Sequence, residues 1–131
     1  AYHHIEDVSK VTFLKNVKRH LCSSGKVIVC ENILPKYLHK HARDSAIHQY
    51  YRALKRYYVS GNATQQSQQA IEEVYSLELA GVEEHKVDFQ RFCRHVKSSG
   101  LEIELDIPVW QPRAFISDNA GSHVFLLKHK N

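Results

Sequence analysis

One pattern of helix, turn and strand occurs twice in this chain, and it constrains the fold more than any other feature. Residues 13–29 and residues 89–105 each contain an apolar helix face, a Ser-Ser-Gly turn and an apolar strand. Apolar side chains recur at helical spacing over 9–22 and over 89–96, which predicts a helix in each segment. Repeated helix–strand units are typical of an α/β layer fold.

The three predicted strands differ in how their side chains alternate. Residues 26–31 are almost continuously apolar, which is typical of a strand covered on both faces. Residues 101–107 alternate apolar with acidic side chains, which predicts an edge strand with one face in water. Residues 123–128 are apolar again and are predicted to form the central strand. Pro108 and Pro112 are predicted to end the pairing of the second strand.

An insertion of different character, residues 36–82, separates the two units. Its first part is basic and rich in tyrosine, and its second part is acidic. Apolar side chains recur on one side of both 47–58 and 65–79, which predicts two helices. We expect them to fold back over the sheet as a helical hairpin that acts as a lid, because ligand-binding segments concentrate in such insertions.

Several short motifs occur in a defined order outside this insertion. They are His3-His4-Ile5-Glu6-Asp7, Phe13-Leu14-Lys15, Leu21, Gly25, Val27–Glu31, His85–Phe92, Ser99-Gly100-Leu101 and His123–Lys128. In this order they resemble the second half of a class I S-adenosylmethionine-dependent methyltransferase. The resemblance implies a partial Rossmann-like sheet of three strands, the last antiparallel and between the other two. It assigns residues 1–131 to the C-terminal half of that fold, as a single domain or a fragment.

The same resemblance implies S-adenosylmethionine as the cofactor, but the family's main contacts to it are absent here. That family holds the cofactor with a glycine-rich turn, whereas the five glycines of this chain form no Gly-x-Gly motif. We therefore expect a missing N-terminal half to bind the cofactor, and this chain not to be active alone. The strand over 26–31 would otherwise leave an apolar edge open to pairing with another chain.

The candidate catalytic residues are His3, His4 and Glu31. Ligands of open α/β sheets bind outside the carboxyl ends of the strands, where Glu31 lies. The resemblance places the two histidines in the neighbouring loop, and some carbon-methylating members of the family use a His–Glu pair. A carboxylate there can orient an imidazole and raise its basicity. The spacing does not decide between His3 and His4, and the alternative is that all three are ordinary loop residues.

The candidate substrate-binding residues lie in the insertion, and they are Tyr37, His41, Tyr50, Tyr51 and Tyr57. Pockets are mostly apolar with a few polar groups, and tyrosine offers both. The alternative for each tyrosine is packing in the core. We expect a small-molecule or carrier-bound substrate. The nearby cluster of His39, His41 and His48 lacks the carboxylate and spacing of zinc motifs, so no metal site is predicted.

A second function class follows from the charge of the chain, which has 18 Lys or Arg, 14 Asp or Glu and a net charge of +4. A non-catalytic module could use its basic, tyrosine-rich helix to bind RNA or an acidic protein partner, although no nucleic-acid motif accompanies it. No apolar run approaches the roughly 18 residues of a membrane helix. Cys30 and Cys93 are predicted to be buried free thiols, which favours the cytoplasm.

Overall fold

Four α-helices and three β-strands make up the computed structural model, which describes residues 1–131. In chain order they are α1 (Asp7–Arg19), β1 (Lys26–Ile33), α2 (Arg43–Ser60), α3 (Gln65–Ala80), α4 (Phe89–Ser98), β2 (Leu101–Trp110) and β3 (Gly121–His129). Short 3-10 turns occupy Tyr2–His4, Lys40–Ala42 and Arg113–Asp118. None of the helices has the length and apolar character that crossing a membrane requires.

The three strands form one open sheet in the order β1-β3-β2, with β3 antiparallel to both neighbours. Val29 pairs with Phe125 in one ladder, and Asp106 pairs with Phe125 in the other. The prediction of an α/β fold with the last strand in the centre is therefore confirmed. β1 and β2 each keep one edge without a strand partner.

Two predicted boundaries were wrong. Pro108 does not end β2, because it pairs with His123 and the strand continues to Trp110. A proline is tolerated there because β2 is an edge strand, and the register shifts between Pro108 and Trp110. α1 ends at Arg19 rather than at residue 22, since the His20 N–H bonds to the Val17 carbonyl oxygen at 3.1 Å, a bond over three residues that tightens the last turn.

One face of the sheet carries the main core and the other is open. Helices α1 and α4 cover the first face, where the Phe92 and Phe125 rings lie with centroids 4.4 Å apart. On the opposite face Ile28 is 69% exposed and Leu105 is 48% exposed. The expectation that β1 is covered on both faces was therefore wrong within this chain. Cys30 lies on the open face and is exposed, and Cys93 is only half-buried, so the argument from buried thiols fails.

The insertion forms the predicted helical hairpin of α2 and α3. Thr64 caps the N-terminus of α3, because its Oγ1 accepts a hydrogen bond from the Ser67 N–H at 3.2 Å. A second apolar cluster lies inside the hairpin, and it consists of Leu34, Tyr37, Ala46, Ile47, Tyr50, Tyr51 and Ile71. Trp110 packs against this cluster from the end of β2. The hairpin therefore stands next to the carboxyl ends of β1 and β2.

Candidate active site

The 3-10 turn Tyr2–His4 presents two adjacent histidines beside the end of β1. Tyr2 anchors it in the core, where its ring is 2% exposed and its hydroxyl lies 2.5 Å from His95 Nδ1. The His85 N–H donates to the His3 carbonyl oxygen at 2.6 Å, which ties the turn to the segment before α4. The position of both histidines is thus defined by contacts far apart in sequence.

His3 and Glu31 form the central pair of the site. His3 Nδ1 lies 2.9 Å from Glu31 Oε2, and the Glu31 side chain is 2% exposed. Because an ionised carboxylate only accepts hydrogen bonds, the ring proton belongs on Nδ1, and Nε2 keeps its lone pair. Glu31 Oε1 is buried and has no hydrogen-bond partner. This arrangement can hold one imidazole in the tautomer that accepts a proton at Nε2.

His4 has different partners. Its Nδ1 lies 2.7 Å from the Glu83 carbonyl oxygen and 3.8 Å from Glu84 Oε1. One potential ligand atom from each of His3, His4 and Glu84 lies within 4.8 Å of the others, which is a donor set that zinc accepts. The Glu84 carboxylate, however, is already bonded to the Lys86 ammonium, so this carboxylate is neutralised without a metal.

A cavity of about 360 Å³ lies between the His3 turn, the end of β1 and the hairpin. Its lining is mostly apolar and aromatic, with a few polar groups. The lining residues are His3, Asn32, Tyr50, Tyr51, Leu54, Tyr58, Ser67, Ala70, Ile71, Val74, Glu84 and Lys86. The cavity therefore joins one predicted catalytic residue to two predicted substrate-binding tyrosines, in a mostly apolar lining of the kind that small-molecule sites have.

A buried charge network supports one wall of this cavity. Lys86 Nζ donates to Glu78 Oε2 at 3.0 Å, to Tyr51 Oη at 3.2 Å and to Glu84 Oε2. Arg43 of α2 bonds to Glu78 Oε1 from the other side. Burial is the largest single effect and lowers the pKa of Lys86, but Glu78, Tyr51 and Glu84 together outweigh it and raise that pKa above its ordinary value. The ammonium is therefore charged at neutral pH and holds Tyr51 in place.

The tyrosines of the site are poor candidates for a general base. Burial raises the pKa of Tyr51 to about 12 and raises the pKa of Tyr50 above its ordinary value. Both hydroxyls are therefore protonated at neutral pH and act as hydrogen-bonding groups in the cavity wall. His3 is the imidazole that lines the cavity, and only its Nδ1 is engaged by another side chain, Glu31.

The other predicted substrate-binding residues do not line this cavity. Tyr37 is buried and borders a separate, more polar cavity of about 490 Å³, which is also lined by Asp7, Arg43 and Arg91. His41 is exposed in the turn before α2. Tyr57 is 53% exposed and packs on Trp110, with ring centroids 5.4 Å apart. The structure thus brings together His3, Glu31, Tyr50 and Tyr51.

Glu78 and Glu84 support or line the cavity together with Lys86, although the sequence analysis treated these two glutamates only as part of an acidic stretch. One signal was present for Glu78. It follows Ile71 by seven residues, which places it on the inward face of α3. No pattern marks Glu84 or Lys86, because they lie in the irregular segment between α3 and α4.

An open three-stranded sheet with its last strand in the centre and flanking helices is consistent with a partial methyltransferase-like α/β fold. Among solved structures, the chain is similar to the mitomycin 7-O-methyltransferase MmcR, with a TM-score of 0.55 and 13% sequence identity. The similarity covers 98% of this chain and 27% of that chain. The chain thus spans about a quarter of the solved protein's length, and at this identity the similarity shows the fold alone.

No protein-family model matches the sequence, and no curated protein matches it. The residues present do not form a site for S-adenosylmethionine. The three strands pair only antiparallel, so the crevice at the ends of parallel strands, where nucleotides bind, is not formed by these residues. The chain also has no Gly-x-Gly motif to bring its backbone close to such a group.

Proposed function

We propose that this chain is the acceptor side of an S-adenosylmethionine-dependent methyltransferase, in which His3 is the general base and Glu31 orients it. The observation that carries the proposal is the 2.9 Å contact between His3 Nδ1 and Glu31 Oε2 beside the 360 Å³ cavity. Methyl transfer needs an acceptor atom relieved of its proton and aligned with the methyl group. Nε2 of His3 takes that proton, and the negative charge of Glu31 stabilises the imidazolium that results.

The donor would be held by protein segments other than these 131 residues, and the hairpin α2–α3 would select the acceptor. We propose a hydroxyl oxygen as the methylated atom, since MmcR is by its name an O-methyltransferase. The alternative expected from the sequence, a carbon acceptor presented on a carrier, predicts a different product. We expect the isolated chain to transfer no methyl group, because it lacks a donor site.

The structure of the hairpin offers no support for the alternative that α2 binds RNA. Two basic residues of α2 are engaged by acidic residues of α3, Arg43 by Glu78 and Lys55 by Glu72 at 2.5 Å. The positive charge that the sequence places on α2 is therefore partly neutralised within the hairpin. No specific contact favours a nucleic acid over a small molecule.

The test is methyl transfer from labelled S-adenosylmethionine by the protein as its natural source makes it, with small phenols and a carrier-bound β-ketoacyl group as acceptors. His3→Asn and Glu31→Gln should lower kcat, the former by about a hundredfold or more. His20→Asn, at an exposed position just after α1, is the matched control. The assignment fails if His3→Asn retains full turnover or if His4→Asn alone abolishes it. A methylated carbon in the product would overturn the hydroxyl acceptor.

A further inference from the structure

Lys10 places a charged group inside the protein, directly beneath the turn that carries the two histidines. Its side chain is 0% exposed, although it lies on the first helix of a small domain. Nζ donates to the Ile5 carbonyl oxygen at 2.6 Å and to the Tyr2 carbonyl oxygen at 3.0 Å. It also lies 4.3 Å from the centroid of the Tyr2 ring and 3.8 Å from Asp7 Oδ1.

The two carbonyl groups that Lys10 binds belong to Tyr2 and Ile5, the residues on either side of His3 and His4. The turn has no side-chain cap, and the Tyr2 carbonyl oxygen already accepts the Ile5 N–H at 3.1 Å. The ammonium therefore closes the turn from below, as a single group that joins its first residue to the residue after its end. Rotation of the turn would break both of these bonds together.

A buried ammonium is costly to desolvate, so an apolar side chain would be the simpler way to fill this position. The charged groups that act on it come from four elements: Asp7 on α1, Glu31 on β1, Arg43 on α2 and Glu78 on α3. Three of these four are acidic, which compensates part of the desolvation cost. The buried Lys10 ammonium therefore carries a desolvation cost and makes two specific hydrogen bonds, to the Tyr2 and Ile5 carbonyl oxygens.

We propose that Lys10 is a positioning residue, whose ammonium fixes the turn so that the His3 ring stays against Glu31 and faces the cavity. The proposal rests on the proposed function of His3 as the base. Lys10 does not line the cavity and touches no reacting atom; it acts through the backbone of the turn. Loss of the ammonium frees the turn, and the His3 ring then leaves the single tautomer that Glu31 selects.

The first test measures the His3 ring directly, by NMR of the protein labelled with ¹⁵N in its histidines, with His3→Asn to assign the signals. We expect the proton on Nδ1 of His3 in the wild type. In Lys10→Met, whose unbranched side chain has a similar length but no hydrogen-bond donor, we expect averaged nitrogen signals from both tautomers of His3. Lys15→Met, at an exposed position on the same helix, is the matched control.

A second variant keeps the test decisive if Lys10→Met does not fold. Lys10→Gln retains a neutral donor, and it should give a His3 signal between those of the wild type and Lys10→Met. His3 signals identical to the wild type in every folded Lys10 variant would overturn the proposal. This result is independent of activity, so it holds even if His3→Asn shows that His3 is not the base.

The second test uses the methyl-transfer assay described above. Lys10→Met should lower kcat by about tenfold or more, with the KM for the acceptor changed less than about twofold, because the base is displaced while the cavity stays intact. A purely structural role would lower the amount of folded protein and leave the kcat of the folded fraction unchanged. An unchanged kcat beside an inactive His3→Asn would overturn the positioning role.

Discussion

Glu78 is the single acidic side chain on which the buried charge network depends, and its removal should cost stability rather than chemistry alone. It is 0% exposed, and it accepts hydrogen bonds from Arg43, from the Lys86 ammonium at 3.0 Å and from the Lys86 N–H at 3.0 Å. In Glu78→Gln the shape is kept, but Arg43 then loses its carboxylate partner and Lys86 keeps only Glu84. Breaking a buried ion pair on one side costs about 3–5 kcal/mol of the free energy of unfolding.

Urea unfolding at neutral pH, followed by far-UV circular dichroism and by Trp110 fluorescence, measures this loss. Glu72→Gln is the matched control on the same helix, because its ion pair with Lys55 is largely exposed and should contribute about 0–1 kcal/mol. In the double variant Glu78→Gln/Lys86→Met the losses should not add, and a coupling of at least about 1 kcal/mol is expected. A loss in Glu78→Gln no larger than in the control would refute the reasoning.

Two further predictions concern a pH dependence and a glycine. Burial lowers the pKa of Lys10 to about 8, against the raising effect of Asp7 and Glu31, so the unfolded state binds the extra proton between that value and the ordinary 10.5. The free energy of unfolding of the wild type, relative to that of Lys10→Met, should therefore rise by about 2 kcal/mol from about pH 7.5 to 9.5. Urea titrations that show no change in this difference with pH would contradict the prediction. Gly121→Ala should cost at least about 3 kcal/mol in thermal unfolding, because φ is +124° and a Cβ would overlap the Trp110 carbonyl oxygen; a loss below about 1 kcal/mol would contradict it.

The sheet could be predicted from side-chain alternation because each strand has its own environment. The acidic residues of 101–107 identify an edge, and the apolar 123–128 identifies the centre, as the observed order β1-β3-β2 confirms. The same reasoning failed for the outer face of β1. Apolar character indicates that a face is suited to burial, but it does not say that the partner for that face lies within the same 131 residues.

The candidate site was only partly predictable. His3, His4 and Glu31 stood out through a resemblance, and the structure brings His3 to Glu31 by folding the chain back over 28 residues. Lys86 carries no signal in sequence, whereas Lys10 precedes Leu14 by four residues and so falls on the inward face of α1. Buried lysines are nevertheless rare, so neither was expected to be buried. Their burial depends on acceptors contributed by other segments, and local spacing contains no information on those contacts.

The central place of β3 has a consequence for the order in which the protein can fold. β1 ends at Ile33, and the strand that pairs with it begins only at Gly121. At a synthesis rate of about 5–20 residues per second, about 4–18 s pass between the synthesis of Ile33 and that of Gly121. Such distant pairing makes folding slow, since the long loop must close before the ladder forms. In this interval β1 lacks β3, so we expect the yield of folded protein to depend on this one nine-residue strand.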